Sequence, residues 1–274
     1  MRWRQFLTPV ESIDADEAAR MLDQNTDLTI LDVRQPGEYE QGHIPGARLL
    51  PVDQLLDKID ELDRHEPLLV YCASGGRSRM AAQLLAGKGF DNILNLSGGF
   101  KAWEGGMALG EFDRGLEYFS DLDSVDEILK VAYGLEEAME EFYKYTARDL
   151  RAKDGSSQEL VDLFETLGRF ETGHKKALMN VHVLTPDVTT MPLPLEGGLS
   201  SEEYMNRLGL DPEKTTDILE FAMAVEIQAM DMYMRASQKA HADGKELLLR
   251  LASEEKKHLK QLGRLMDRYV KETV

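Results

Sequence analysis

Two groups of residues in this 274-residue chain have the types and spacing for chemistry. The first centres on Cys72, the only cysteine, which opens the run Cys72-Ala73-Ser74-Gly75-Gly76-Arg77 and is followed by Ser78. The apolar run Leu68-Leu69-Val70-Tyr71 before it reads as a buried strand, and Ser78 to Leu85 after it reads as a helix. A thiol between a strand end and a helix start lies where loop N–H groups and the first helical turn favour negative charge. The same field favours the thiolate, which is the nucleophile. Gly75 and Gly76 admit backbone conformations closed to larger residues. Ala73, Ser74, Gly75, Gly76 and Ser78 therefore form the expected substrate-binding loop, and Arg77 adds a fixed cation able to fork onto an anion. The alternative is a buried structural cysteine, against which Ser-Gly-Gly-Arg argues. Asp32 and Arg34 read first as a charge pair locking the preceding loop, with a supporting role at the thiol as the second reading.

The second group lies on long amphipathic segments in the second half. One apolar stripe runs Leu129, Ala132, Met139, Tyr143, Thr146, and Glu136 falls inside it. Another runs Leu219, Ala222, Ala229, Tyr233, Ala236, and Glu226 falls inside it. Glu171 and His174 stand between Phe164, Leu167 and Leu178, Val181; Glu255 and His258 stand between Leu248, Leu251 and Leu262, Leu265. Residues three and four apart share a helix face, so four carboxylates and two imidazoles are predicted to point into one core. Buried carboxylates are very unfavourable unless paired or metal-bound. Two divalent cations balance four carboxylates. Single Glu residues from two helices, plus Glu-x-x-His from two others, form the ligand set of two-metal carboxylate bundles. Mixed oxygen and imidazole ligands suit iron or manganese, and zinc less specifically. Tyr143 and Tyr233 each follow a core glutamate by seven residues and are candidate supporting groups. Glu137, Glu140, Glu141 and Glu254 read as solvated faces, and Met223, Met230, Met232 and Met234 as core filling.

Two different periodicities position these groups. Residues 1–107 alternate strands near 28–33, 47–50, 68–71 and 92–96 with helical stretches near 14–24, 53–63 and 77–88, which implies a parallel sheet covered on both faces. From 123 onward, four long helices are expected. The first starts at a Ser124/Glu127 capping box and stops near Asp154-Gly155; the second starts at Ser156/Glu159 and ends near 181. A Pro- and Gly-rich crossover (Pro186, Pro192, Pro194, Gly197, Gly198) leads to the third, which follows Asp211-Pro212 and ends near Ala242; the fourth fills the rest. Short links around one long crossover fit a ferritin-like bundle. The expected organisation is a 1–107 α/β domain, a 108–122 linker or docking helix, and a 123–274 all-α four-helix bundle.

Composition narrows the partners. The net charge is −18, with 50 acidic against 32 basic side chains, which disfavours nucleic acid and anionic membranes. Both halves are acidic: residues 1–107 hold 17 Asp and Glu against 11 Lys and Arg, and the remainder 33 against 21. No apolar run is long enough to span a membrane, and Met1 to Pro9 has no apolar core behind its positive charge, so no secretory signal is expected. One cysteine forms no internal disulfide, which points to a reducing cytoplasm and excludes any four-cysteine metal site within the chain.

The first half resembles a single-domain rhodanese. The matching segments are Leu31-Asp32-Val33-Arg34 with Glu38, Gly42-His43-Ile44-Pro45-Gly46-Ala47, the six-residue loop from Cys72 to Arg77, and Gly98-Gly99-Phe100-Lys101-Ala102-Trp103. The second half is similar to the ferritin-like domain of rubrerythrins, with six ligand positions in the same order. The first resemblance implies sulfur transfer through a persulfide on Cys72, from a small thiosulfate-like or persulfide donor to a thiol. The second implies two iron ions, bridged by Glu171 and Glu255, with Glu136 and Glu226 terminal and one imidazole on each, reducing oxygen or peroxide or oxidising iron. It also implies an external electron donor, because the chain has no rubredoxin-type cysteine module. Ala229 stands where the rubrerythrin pattern has a further glutamate. A homodimer remains open. Cysteine phosphatases and arsenate reductases share the loop architecture but need five residues between Cys and Arg, whereas here there are four. The other alternative is a non-catalytic sensor or adaptor joined to a structural metal-binding bundle.

Overall fold

The structure, a computed structural model, describes residues 9–24, 28–119, 121–122, 124–152, 158–181, 208–211 and 214–273. The expected stop at Asp154-Gly155, the Ser156 cap, Pro212, the proline-rich crossover and the segment before Pro9 lie outside these residues. The chain divides into two compact units, Met1–Asp113 and Arg114–Val274.

The first unit is built on five parallel strands, β1 (Glu11–Ile13), β2 (Thr29–Asp32), β3 (Arg48–Leu49), β4 (Leu68–Tyr71) and β5 (Ile93–Leu96), in the order β1-β5-β4-β2-β3. Among the described residues its α-helices are α1 (Ala15–Gln24), α2 (Pro36–Glu40) and α3 (Gly76–Gly87). The side-chain period of two sorts the central strands. Leu31, Val33, Leu68, Val70 and Cys72 pack on one face with Ala81, Ala82 and Leu85 of α3. Leu28, Ile30, Leu69 and Tyr71 pack on the other with Ala18 of α1 and Tyr39 of α2. Both faces are covered, which is why these strands read as unbroken apolar runs.

Two details depart from the sequence reading. Residues 53–63 form turns and a short 3-10 helix (Ile59–Glu61) rather than an α-helix. The segment needs only to bury Leu55, Ile59 and Leu62, while Leu56 is exposed. Bonds such as Asp57 N–H to the Gln54 carbonyl and Leu62 N–H to that of Ile59 meet that need with tighter winding. The short α2, which begins at Pro36-Gly37, is not among the expected helical stretches. Proline at its first position costs nothing there, and Glu38 accepts the Gln35 backbone N–H at 3.1 Å.

The chain beyond β5 returns to the same unit, where Ala108 and His43 exchange backbone hydrogen bonds and Gly110 N–H reaches the Glu40 carbonyl. The second unit begins with Leu116, Phe119 and Tyr118 packed into the bundle core. Its helices are α4 (Val125–Ala152), α5 (Gln158–Val181), α6 (Thr215–Ser237) and α7 (Ala242–Thr273). The Ser124 hydroxyl accepts the Glu127 N–H at 3.4 Å, the N-cap bond expected of the capping box. Helix α6 stops five residues early: after Ser237 the chain turns so that Ala240 enters the core. Arg235 is fully buried. It donates to Asp231 at 2.7 Å and to the Arg114 carbonyl at 3.0 Å, tying the start of this unit to α6. Among the described residues no helix is long and apolar enough to cross a membrane.

Both tryptophans, Trp3 and Trp103, lie in the first unit's sequence, so indole fluorescence reports on that unit. Leu31 is fully buried on the α3 face. Leu31→Ala is expected to lower its stability by about 2–5 kcal/mol, read as a lower urea midpoint by tryptophan fluorescence.

Candidate functional sites

Cys72 leaves the central strand β4 at the C-terminal edge of the parallel sheet, where α/β proteins place their ligands. Its residue is fully buried. The turn from strand to helix needs Gly75 at φ +89°, in the left-handed region, as the residue capping α3. Gly75 N–H donates to Cys72 Sγ at 3.2 Å. The loop is held from behind: Phe100 N–H donates to the Cys72 carbonyl at 2.7 Å and Lys101 N–H to that of Ala73 at 3.1 Å. Gly99, at φ +61°, makes this approach possible, because a Cβ there would stand 2.2 Å from the Cys72 carbonyl oxygen. With its carbonyls bound behind it, the loop turns N–H groups toward the sulfur. Burial alone raises the thiol's pKa. Hydrogen bonds from the Ser78 hydroxyl and from the N–H groups of Ser78, Ser74 and Gly75 more than offset that, so the thiol titrates below its ordinary value.

Ser78 is buried and also lies 2.7 Å from Asn95 Oδ1, while Asn95 Nδ2 donates to Ser12 at 3.1 Å. A hydroxyl has one proton. Given to Asn95, it is lost to the sulfur. Turning the Asn95 amide over presents its NH2 to Ser78 and releases the hydroxyl proton toward Sγ. No local pattern marks Asn95, which sits mid-strand among apolar neighbours.

Arg77 is half-buried and does not stand free. Its two terminal nitrogens donate to the two oxygens of Glu38 at 2.7 and 2.6 Å. The Arg77 bonds and the Gln35 N–H hold Glu38 at a pKa of about 2, against a modest opposing effect of burial. The guanidinium also feels Cys72. Arg34 pairs with Asp32 through Nε and Nη2 at 2.6–3.0 Å, donates to the Gly42 carbonyl at 2.7 Å, and lies over the rings of Phe100 and Tyr71. Both members of this pair are buried.

In the second unit the structure brings Glu136, Glu171, His174, Glu226, Glu255 and His258 together. All are buried except His174, which is 17% exposed. His174 Nδ1 lies 3.0 Å from Glu171 and 3.2 Å from Glu136. His258 Nδ1 lies 3.3 Å from each of Glu171, Glu226 and Glu255. The two imidazoles stack 5.2 Å apart. Three overlapping sets, Glu171/His174/His258, Glu136/His174/Glu255 and Glu226/Glu255/His258, each offer ligand atoms within 4.8 Å of one another. Burial pulls the His174 imidazole down, but Glu136 and Glu171 outweigh it and push it up to about 10. His258 is raised in the same way, chiefly by Glu226. Glu171 sits below the carboxylate range despite its burial, through His174 first.

These residues fit a pair of cations. Neither oxygen of Glu171 receives a hydrogen bond of good geometry, although imidazole nitrogens from two helices flank it. A buried carboxylate so placed fits a metal ligand, because a cation supplies the compensating charge. Tyr143 donates to Glu226, joining α4 to α6 rather than reaching back to Glu136 on its own helix. Tyr233 is fully buried in the bundle core. Glu140 is not a solvated residue as expected. It is 6% exposed and bound by Lys144, Thr172 and Lys175, the last at 2.6 Å, which takes its pKa to about 2 despite burial. Its partners come mainly from α5, so the sequence of α4 alone does not show it.

A fold of parallel strands with a cysteine loop at its edge, followed by a carboxylate-rich helical bundle, defines a two-domain class of protein. The rhodanese-like domain family matches residues 14–105 and the rubrerythrin family matches residues 217–274, the latter spanning α6 and α7. A protein described as a sulfurtransferase from Allochromatium vinosum is 35% identical over 94 residues, 34% of this chain and 88% of that protein. Thiosulfate sulfurtransferase GlpE of Pseudoalteromonas translucida is 34% identical over 92 residues, covering 34% of this chain and 87% of its own. The uncharacterised protein YqhL of Bacillus subtilis is 46% identical over 76 residues, 28% of this chain; the chain spans only 60% of YqhL. The chain belongs to the rhodanese family through its first domain and carries a rubrerythrin domain after it.

Ser78→Ala removes a donor to the sulfur. The pH profile of Cys72 alkylation by iodoacetamide is expected to move to higher pH, because losing a hydrogen bond to the anion raises the thiol's pKa. Gly99→Ala is expected to destabilise the first unit by at least the roughly 1–2 kcal/mol of a left-handed residue with a Cβ, seen as a lower urea midpoint, and to displace the loop, seen as slower alkylation.

Proposed function

We propose that the first domain is a sulfurtransferase that carries sulfur as a persulfide on Cys72. The observation that supports this best is the sulfur's placement at the centre of a loop whose N–H groups, led by that of Gly75, face it. The Cys72 thiolate attacks the outer sulfur of a small donor such as thiosulfate. A new bond forms between Sγ and that sulfur, the donor's sulfur–sulfur bond breaks, and sulfite leaves with the electron pair. An acceptor thiolate then attacks the outer sulfur and regenerates the Cys72 thiolate. The loop N–H groups and the Ser78 hydroxyl stabilise the anionic sulfur in both steps. The Asp32–Arg34 pair fixes the neighbouring loop rather than touching the reacting atoms.

The second domain binds two metal ions, with iron expected first and manganese or zinc as alternatives. Glu136, Glu171, His174, Glu226, Glu255 and His258 would hold them. Iron so held supplies electron transfer to oxygen or peroxide, or its own oxidation, with reducing equivalents from an external donor. Tyr143 orients Glu226, and the contacts of Glu140 with Lys175 and Thr172 hold α4 against α5 beside the site. The lone cysteine and the acidic surface favour a reducing cytoplasm, free of nucleic-acid and membrane partners.

Cys72→Ser is expected to abolish thiocyanate formation from thiosulfate and cyanide while leaving metal content unchanged. Metal analysis of the purified full chain should give about two ions per molecule, lost in Glu171→Ala/Glu255→Ala with helical circular dichroism retained. A folded wild-type protein without metal would remove the oxidoreductase reading and leave the sulfurtransferase one standing.

A further inference from the structure

The charges around Cys72 are unusual for a site meant to receive a dianion. The loop residues Ala73, Ser74, Gly75 and Gly76 carry no charge. Two guanidinium groups stand near, and each is matched by a carboxylate. Arg34 is paired with Asp32, buried with it, and also donates to the Gly42 carbonyl. Arg77 is paired with Glu38 in a two-pronged contact that uses one N–H of each terminal nitrogen and cancels most of its charge. Glu38 itself is fixed from behind, because its Oε2 also accepts the Gln35 N–H at the start of α2. A substrate bearing two negative charges must either displace Glu38 from Arg77 or lie beside an ionised carboxylate that offsets the guanidinium's attraction. A donor whose sulfur carries one charge or none meets neither obstacle.

Building on the sulfurtransferase reading above, we propose that Glu38 is a specificity-determining residue: by neutralising Arg77 it makes a low-charge sulfane donor, an organic persulfide, the preferred substrate over the thiosulfate dianion. The transfer balances without any further reactant. The Cys72 thiolate attacks the outer sulfur of a protonated persulfide R–S–SH, the sulfur–sulfur bond to R breaks, and RS⁻ leaves with the electron pair. Cys72 then carries S–SH, and the single negative charge has moved to the departing thiolate. The N–H groups of the loop suffice to orient a ligand of this charge.

The test is the rate at which Cys72 gains one sulfur, followed by intact mass in single-turnover reactions of the full chain. The two donors are thiosulfate and mercaptoethanol persulfide, and the proteins are wild type and Glu38→Gln. Glutamine keeps the shape and an acceptor for Arg77, so the loop retains its support while the negative charge goes. The expected result is a wild type loaded faster by the persulfide, and a thiosulfate-to-persulfide rate ratio that rises roughly tenfold in Glu38→Gln, the size expected when a unit charge is removed near a dianion in a partly solvated site. A purely structural role would slow both donors together and leave the ratio fixed; that result overturns the proposal, as does a wild type that prefers thiosulfate. If neither donor loads wild-type Cys72, the sulfurtransferase reading falls, and this proposal with it.

Discussion

A carboxylate or thiolate moved from water into a protein interior loses several kcal/mol of solvation that the protein must replace. Both domains are arranged around that requirement. In the first, one buried sulfur is met by backbone N–H groups, made available because Phe100 and Lys101 hold the loop's carbonyls from behind. In the second, four carboxylates converge in one core, too many for the two imidazoles beside them to neutralise. Everything else near the two sites follows from supplying positive charge or hydrogen-bond donors. Gly99 brings two backbones together, Tyr143 reaches across from α4 to Glu226, and Arg34 is shared between Asp32 and aromatic faces.

What the sequence showed depended on the range of the interaction. The strand, loop and helix around Cys72 are contiguous, so their order was readable directly. The six core residues of the bundle were readable because a helix repeats its face every three or four residues, and a charged residue inside an apolar stripe is conspicuous. Contacts between distant segments were not readable. Glu38 and Arg77 are 39 residues apart, Asn95 and Ser12 are 83 apart, and neither pair interrupts a local pattern. Glu140 was misjudged for the same reason: one turn from Glu136 it looks like part of an acidic surface, and only the packing of α5 supplies Thr172 and Lys175.

The elements that were misread both turn on tertiary packing. Residues 53–63 have helical composition but only three anchors to bury, so the strong tertiary demand that would fix an α-helix is missing. The short α2 forms although it begins at Pro36-Gly37, because Glu38 caps the backbone and is itself tied to Arg77. In the first place too little tertiary packing backs the local propensity, and in the second a tertiary contact outweighs it.

Cys72 has no second cysteine in these 274 residues. A sulfur atom loaded onto it therefore cannot be passed along the chain or discharged by forming an internal disulfide. Its release waits on a collision with another molecule, so the abundance of outside thiols sets how long the sulfur stays. On the proposed sulfurtransferase reading, the domain would then act as a reservoir when such thiols are scarce, holding one sulfane equivalent until a recipient arrives.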